Sequence, residues 1–171
     1  MNSSLTAQYT TQTPIKFILS VFLAIFMASN LSAQVTHSSE DFEDLVEEIN
    51  AVRTAGVTCA RQKMKPVSSI TWNDKLAQSA AIHAEDMAKK NFFSHIGSDK
   101  SNPSHRADRV GYNWQSVSEN IAKGPRNNHE VVQGWLKSPD HCRTIMLPQV
   151  KEMGVARNGS YWVQVFGLEM E

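Results

Sequence analysis

The sequence predicts an α+β domain in which an antiparallel sheet is sandwiched between helices, and three observations predict it. Residues 41–53 and 73–90 place apolar side chains at gaps of three and four, the helical period. Ser138-Pro139 is a helix-opening step, a capping serine before a proline at the first helical position. Two apolar runs, 150–157 and 160–168, flank Asn158-Gly159, the dipeptide suited to a type I′ hairpin turn. Helices first and paired strands last make an α+β chain. Composition agrees. The 171 residues are 41% hydrophobic and 20% charged, which suits one globular domain. Lys plus Arg and Asp plus Glu both number 17, so the net charge is zero, and a surface built on phosphate contacts is excluded.

Residues 1–33 stand apart. They hold no acid and one base, Lys16, followed by the apolar stretch Phe17–Ala28. That stretch is shorter than the roughly 20 residues of a membrane span. A basic flank, a short apolar core and a small residue describe a secretory signal, with cleavage after Ala33. The alternative is an uncleaved anchor. The remainder divides into a short segment, 34–41, and the domain, 42–171, and carries no membrane span of its own. A secreted or periplasmic monomer is expected.

The first helix, Asp41–Arg53, buries Phe42, Leu45, Val46, Ile49 and Val52. Ser38 and Ser39 are its candidate caps, and Gly56 ends it. Acids at 40, 41, 43 and 44 suit its positive end. The second runs from Asn73 to Lys90, with Leu76, Ala80, His83, Ala84 and Met87 on its inner face. Residues 91–127 read as irregular, a length that is functional or conceals short elements. A third helix spans His129–Leu136, capped by Asn127 or Asn128. The helix opened by Ser138 places His141 in its first turn. In the last strand Tyr161, Val163 and Val165 share one face and Trp162 and Phe166 the other, so both faces are covered.

Cys59 and Cys142 are the only two cysteines. In an exported protein they form one disulfide, or they remain two buried thiols. Of six histidines, His37 and His129 read as surface residues, His83 as a hydrogen-bonded core residue, and His105 is undecided. His95 and His141 are the candidates for chemistry. His95 follows the apolar anchor Phe92-Phe93 and starts the long loop. His141 lies at a helix N-terminus, where positive potential favours neutral imidazole, the form that binds metal or accepts a proton; Asp140 works against that. Glu119, before Ile121-Ala122, reads as an acid on a short strand edge. Phosphate-loop, dinucleotide and HExxH motifs are absent.

In order, these segments resemble the CAP superfamily of cysteine-rich secretory, antigen 5 and pathogenesis-related proteins, in its bacterial SCP-like branch. The resemblance rests on Ile70-Thr71-Trp72-Asn73 with Leu76, Ala80 and Ala81. It continues through Asp86-Met87-Ala88 to Phe93-Ser94-His95, and Arg106 to Gly111-Tyr112. Glu119-Asn120-Ile121-Ala122 with Gly124 follows, then Val131-Val132, Trp135 and Ser138 to Cys142. Met153-Gly154-Val155 and Tyr161 to Phe166 close it.

The resemblance implies an α-β-α sandwich with a cleft lined by two histidines and two acids. Carried over, these are His95, Glu119 and His141, with Ser138 where the second acid belongs. Ser118 likewise stands where glycine is usual. The resemblance also implies a Cys59–Cys142 disulfide. Two imidazoles, His95 and His141, with Glu119 beside them suggest a weak site for zinc or another divalent cation. The missing acid favours binding over catalysis, and none of Ser94, Ser116, Ser118 and Ser138 is marked as a nucleophile. The expected role is a binding module for a small molecule, lipid or cell-wall component. The second reading is a metal-assisted hydrolase acting on peptide or cell wall.

Overall fold

The computed structural model describes residues 37–171; the predicted leader, 1–33, lies outside them. Helix α1 (Glu43–Ala55) is entered through a 3-10 turn at Glu40–Phe42. Ser39 makes no side-chain capping bond there, and Ser38 Oγ accepts from the Glu40 N–H instead. Gly56, at a φ of 76°, reverses the chain into the short hairpin β1 (Val57–Cys59) and β2 (Gln62–Met64). A two-residue strand β3 (Thr71–Trp72) leads to α2 (Asp74–Lys90). The side chain of Asn73 caps α2 by accepting from the N–H groups of Lys75 and Leu76.

The stretch expected to be irregular, 91–127, contains α3 (Pro103–Arg109) and a ten-residue strand, β4 (Trp114–Lys123). Its alternation was obscured at the centre: Val117, Glu119 and Ile121 share a face, and a hydropathy pattern reads the carboxylate as polar although it is buried. Helix α4 (Asn128–Lys137), capped by Asn127, passes through the single residue Ser138 into α5 (Pro139–Ile145). Strands β5 (Glu152–Asn158) and β6 (Tyr161–Glu169) complete the chain. Asn158 pairs with Tyr161, so the turn residues are Gly159 and Ser160, one position later than expected. Only Gly159 of the two has positive φ, at 59°, which fits a glycine-first type II′ turn rather than type I′.

The sheet order is β3-β5-β6-β4, antiparallel except for the short parallel pair β3/β5. On one face α1, α4 and α5 bury Leu45, Ile49, Trp135 and Ile145 against Trp162 and Phe166. On the other, α2 and α3 bury Leu76, Ala80, Ala84 and Ala107 against Ile121, Val163 and Val165. Both faces of β6 are therefore covered, as its sequence predicted. Helix α2 lies so close to β5 that a Cβ at Gly154 would collide with the Ala77 backbone. The Cys59–Cys142 disulfide joins β1 to α5 across 83 residues of chain. A crosslink closing a loop of that length contributes about 4–5 kcal/mol in the chain-entropy account.

Candidate functional site

The site is assembled from both helical layers around β4. Asn91, in the left-handed region at a φ of 51°, ends α2. The chain then turns past Phe92, whose ring meets His83 edge-on with centroids 6.2 Å apart. His83 is fully buried, as expected, and its Nε2 lies 2.7 Å from Ser94 O. A carbonyl only accepts, so Nε2 carries the proton. Burial is the main influence on His83 and lowers its pKa, keeping the ring neutral. His83 thus fixes the residue immediately before His95.

His95 is 48% exposed in its side chain, yet its ring has a fixed partner: Nδ1 is 2.8 Å from Glu119 Oε1. A carboxylate accepting at Nδ1 orients the imidazole and leaves Nε2 as the outward nitrogen. The other oxygen, Oε2, accepts from Arg106 Nη2 at 2.7 Å. Arg106 also donates to His95 O at 3.1 Å and Ser101 O at 2.9 Å. The Arg106 and Glu119 side chains are each only 1% exposed. His83 Nε2 stands 4.0 Å from the oxygen that holds His95. One buried carboxylate therefore sits among a guanidinium and two imidazoles. Pairing is what makes its burial tolerable.

His141 comes from the opposite layer, in the first turn of α5. Its carbonyl accepts from Asn120 Nδ2 at 3.3 Å, and the same amide donates to Gln164 Oε1 at 3.1 Å. Glu119 and Asn120 are adjacent on a strand and point to opposite faces. That single step lets β4 hold His95 on one side and α5 on the other. Burial lowers the His141 pKa first, nearby His95 lowers it further, and Asp140 opposes both. Ser138 is half-buried between α4 and α5; its side chain makes no capping bond and no hydrogen bond to the other three residues.

Among the described residues, no group of three or more His, Cys, Asp or Glu side chains is arranged to hold a metal ion. The reason is visible at Glu119, whose two oxygens face His95 and Arg106. A cation there would compete with a buried guanidinium. The outward Nε2 of His95 and the imidazole of His141 remain, which is fewer than the three protein ligands of a catalytic zinc site.

Sequence reasoning underrated Arg106 and Asn120. Arg106 entered only as one letter of a motif, although Asn102-Pro103 before it marks a helix start that buries it one turn in. His129 is exposed with Nδ1 3.2 Å from Glu48, and His105 is exposed on α3; neither reaches this site.

The sequence profile of the cysteine-rich secretory protein family, CAP, matches residues 46–166. This chain belongs to the CAP family. It is 30% identical over 141 residues to the uncharacterized protein YkwD of Bacillus subtilis, an alignment covering 81% of this chain and 51% of that protein. It is 28% identical over 100 residues to the uncharacterized membrane protein YlbC of the same organism, covering 58% and 29%. The chain thus spans about half of the first relative and less than a third of the second. Two solved structures share the CAP fold at a TM-score of 0.68. One is an extracellular protein containing an SCP domain from Bacillus anthracis, 23% identical, with 77% of this chain and 41% of that one covered. The other is an outer surface protein of Borrelia burgdorferi, 20% identical, with 81% and 99% covered. The α-β-α sandwich implied by the sequence is the CAP architecture, and the disulfide fits an extracellular setting. Among the described residues no helix is long and apolar enough to cross a membrane.

Proposed function

We propose that this CAP domain is an exported binding module, carried out of the cytoplasm by residues 1–33, that engages its ligand through His95 and His141. The observation that carries this reading is the arrangement of Glu119. A general base needs an oxygen within reach of the proton it takes. Here one oxygen orients His95 and the other meets Arg106. The carboxylate works as a positioning group, and the groups offered to solvent are imidazoles. Phe93 and Ile96, 50% and 49% exposed, stand on either side of His95 in the chain and give it an apolar border. A ligand with both a polar and an apolar part suits that surface: a small molecule, a lipid or a cell-wall component. Two imidazoles without a third ligand favour weak zinc binding.

The test is zinc calorimetry on the wild type and His95→Ala, with casein and muropeptide turnover measured with and without zinc. Binding weaker than about 1 μM that His95→Ala abolishes, without turnover, is expected. Metal-dependent turnover of either substrate would replace the binding module by the hydrolase. Zinc uptake unchanged in the His95→Ala, His141→Ala double variant would remove the site altogether.

A further inference from the structure

The main chain between the two histidines carries binding capacity of its own. β4 is the outermost strand of the sheet, so one of its edges has no neighbouring strand. The register shows which residues face that way. The Gly124 N–H donates to Ser160 O at 2.9 Å, and these two residues are opposite each other when the Lys123–Tyr161 pairing is continued. In an antiparallel ladder such mutually bonded pairs recur at every second residue. Ala122, Asn120 and Ser118 therefore bond to β6, while Ile121, Glu119 and Val117 turn their N–H and C=O groups away from it. Among the described residues, no hydrogen bond from elsewhere in the chain reaches those outward groups. Glu119 shows the result directly: the residue keeps 9% exposure while its side chain keeps 1%, so solvent meets its peptide backbone; Val117 is half-buried, and Ile121, at 4%, is the least open of the three.

Proteins commonly blunt a free edge with Lys, Pro or a bulge. β4 has such devices at its ends, a register break between Trp114 and Ser116 and a lysine at Lys123, and one inward-pointing charge at its centre, Glu119, which Arg106 pairs. The stretch from Ser116 to Ala122 contains no lysine, proline or register break. His95 borders that stretch from the α2/α3 layer and His141 from the α5 layer.

We propose that the free edge of β4 at Val117, Glu119 and Ile121 accepts an extended peptide as an added strand, lying between His95 and His141. The three outward peptide units supply the ladder, and the imidazoles, with Phe93 and Ile96, meet its alternating side chains. The proposal names the ligand class of the binding reading above and rests on that reading for the role of the histidines, though not for the edge.

The test is a displayed library of random octapeptides selected on the protein. The strongest binder is synthesised unmodified and in two forms N-methylated on alternate residues. The unmodified peptide is expected to bind with a Kd below about 1 mM and to slow amide exchange at Val117, Glu119 and Ile121 by about tenfold or more. One N-methylated form is expected to lose at least about tenfold in affinity, because one set of alternate N–H groups faces β4. Val117→Pro, which removes an outward N–H but no ladder bond to β6, is expected to weaken binding while the protein stays folded, and Val117→Ala, which trims the same side chain but keeps the N–H, is expected to leave binding in place. Absence of any binder, equal affinity of all three peptides, or unchanged exchange at the three amides would overturn the proposal. So would protection of those amides that grows with protein concentration in the absence of peptide, which would give the edge to a second copy of the chain. His95→Ala separates the two readings. Peptide protection that survives it unchanged keeps the edge and removes the histidines, whereas zinc uptake lost in it, with no peptide bound to the wild type, keeps the histidines and removes the edge.

Discussion

Arg53 and Arg106 are both buried guanidinium groups, and the chain neutralises them in opposite ways. Among the described residues Arg53, on α1, meets no carboxylate. It donates to four carbonyls, those of Ser68, Ile145, Leu147 and Val150, at 2.5–3.3 Å. Burial lowers its pKa, but a guanidinium remains charged at any physiological pH. Arg106, on α3, meets a full charge, Glu119, with carbonyls as secondary partners. Fixed dipoles converging on Arg53 tie three chain segments to α1. A carboxylate has two oxygens, so neutralising Arg106 occupies one and leaves the other to hold His95. The first arrangement only stabilises; the second stabilises and also fixes the orientation of His95.

Substitutions should separate the two arrangements, beginning with the largest effect. Arg53→Ala leaves four carbonyls without their donor and should cost about 5 kcal/mol, read as a collapse of Tm, with no single second substitution restoring it. Reduction of Cys59–Cys142, or Cys59→Ser with Cys142→Ser, should cost about 4 kcal/mol by denaturant unfolding, and the double variant should be insensitive to reductant. Arg106→Met should cost about 3 kcal/mol by stranding a buried carboxylate, and adding Glu119→Gln should recover most of that loss. The recovery is the distinguishing result, since only the charge-paired arginine has a partner that can be changed with it.

The smallest effect is expected from pH. His83 and His141 have pKa values below the ordinary 6.5 in the folded chain, so the unfolded chain takes up protons first as pH falls. Stability is full above about pH 6.5 and declines as pH drops below it, toward the folded values. Thermal melts between pH 7.5 and about 5 should show this decline, flattened in His83→Gln combined with His141→Gln.

Four of the five α-helices were legible because their signals are local; α3 was passed over inside 91–127 although Asn102-Pro103 marks its start. Asn73 caps α2, Ser138-Pro139 opens α5 and Gly56 closes α1, each within one turn of its element. β4 was legible only as a short strand edge at Glu119, and its full ten residues were not, because Glu119 in its centre is buried only once Arg106 arrives from α3, a pairing no window of sequence contains. The hairpin was recognised but displaced by one residue, since glycine suits either turn position and the β5/β6 register decides between them. At the site, His95, Glu119 and His141 were all singled out. What the sequence could not convey is that Glu119 faces inward with both oxygens engaged, and that Asn120 beside it holds the opposite layer.

The disulfide also constrains how this surface can diversify. His141 is covalently adjacent to Cys142, and its helix is riveted through Cys59 to the segment following α1. The chain carrying His95 has no such rivet; polar contacts to His83, Arg106 and Glu119 hold it. Substitutions within residues 92–101 therefore act on one side of the surface while the crosslinked side stays put, within the limits set by the bonds to His83, Asp86 and Arg106 and by Gly97, where a Cβ would meet Asp99 and Ser101.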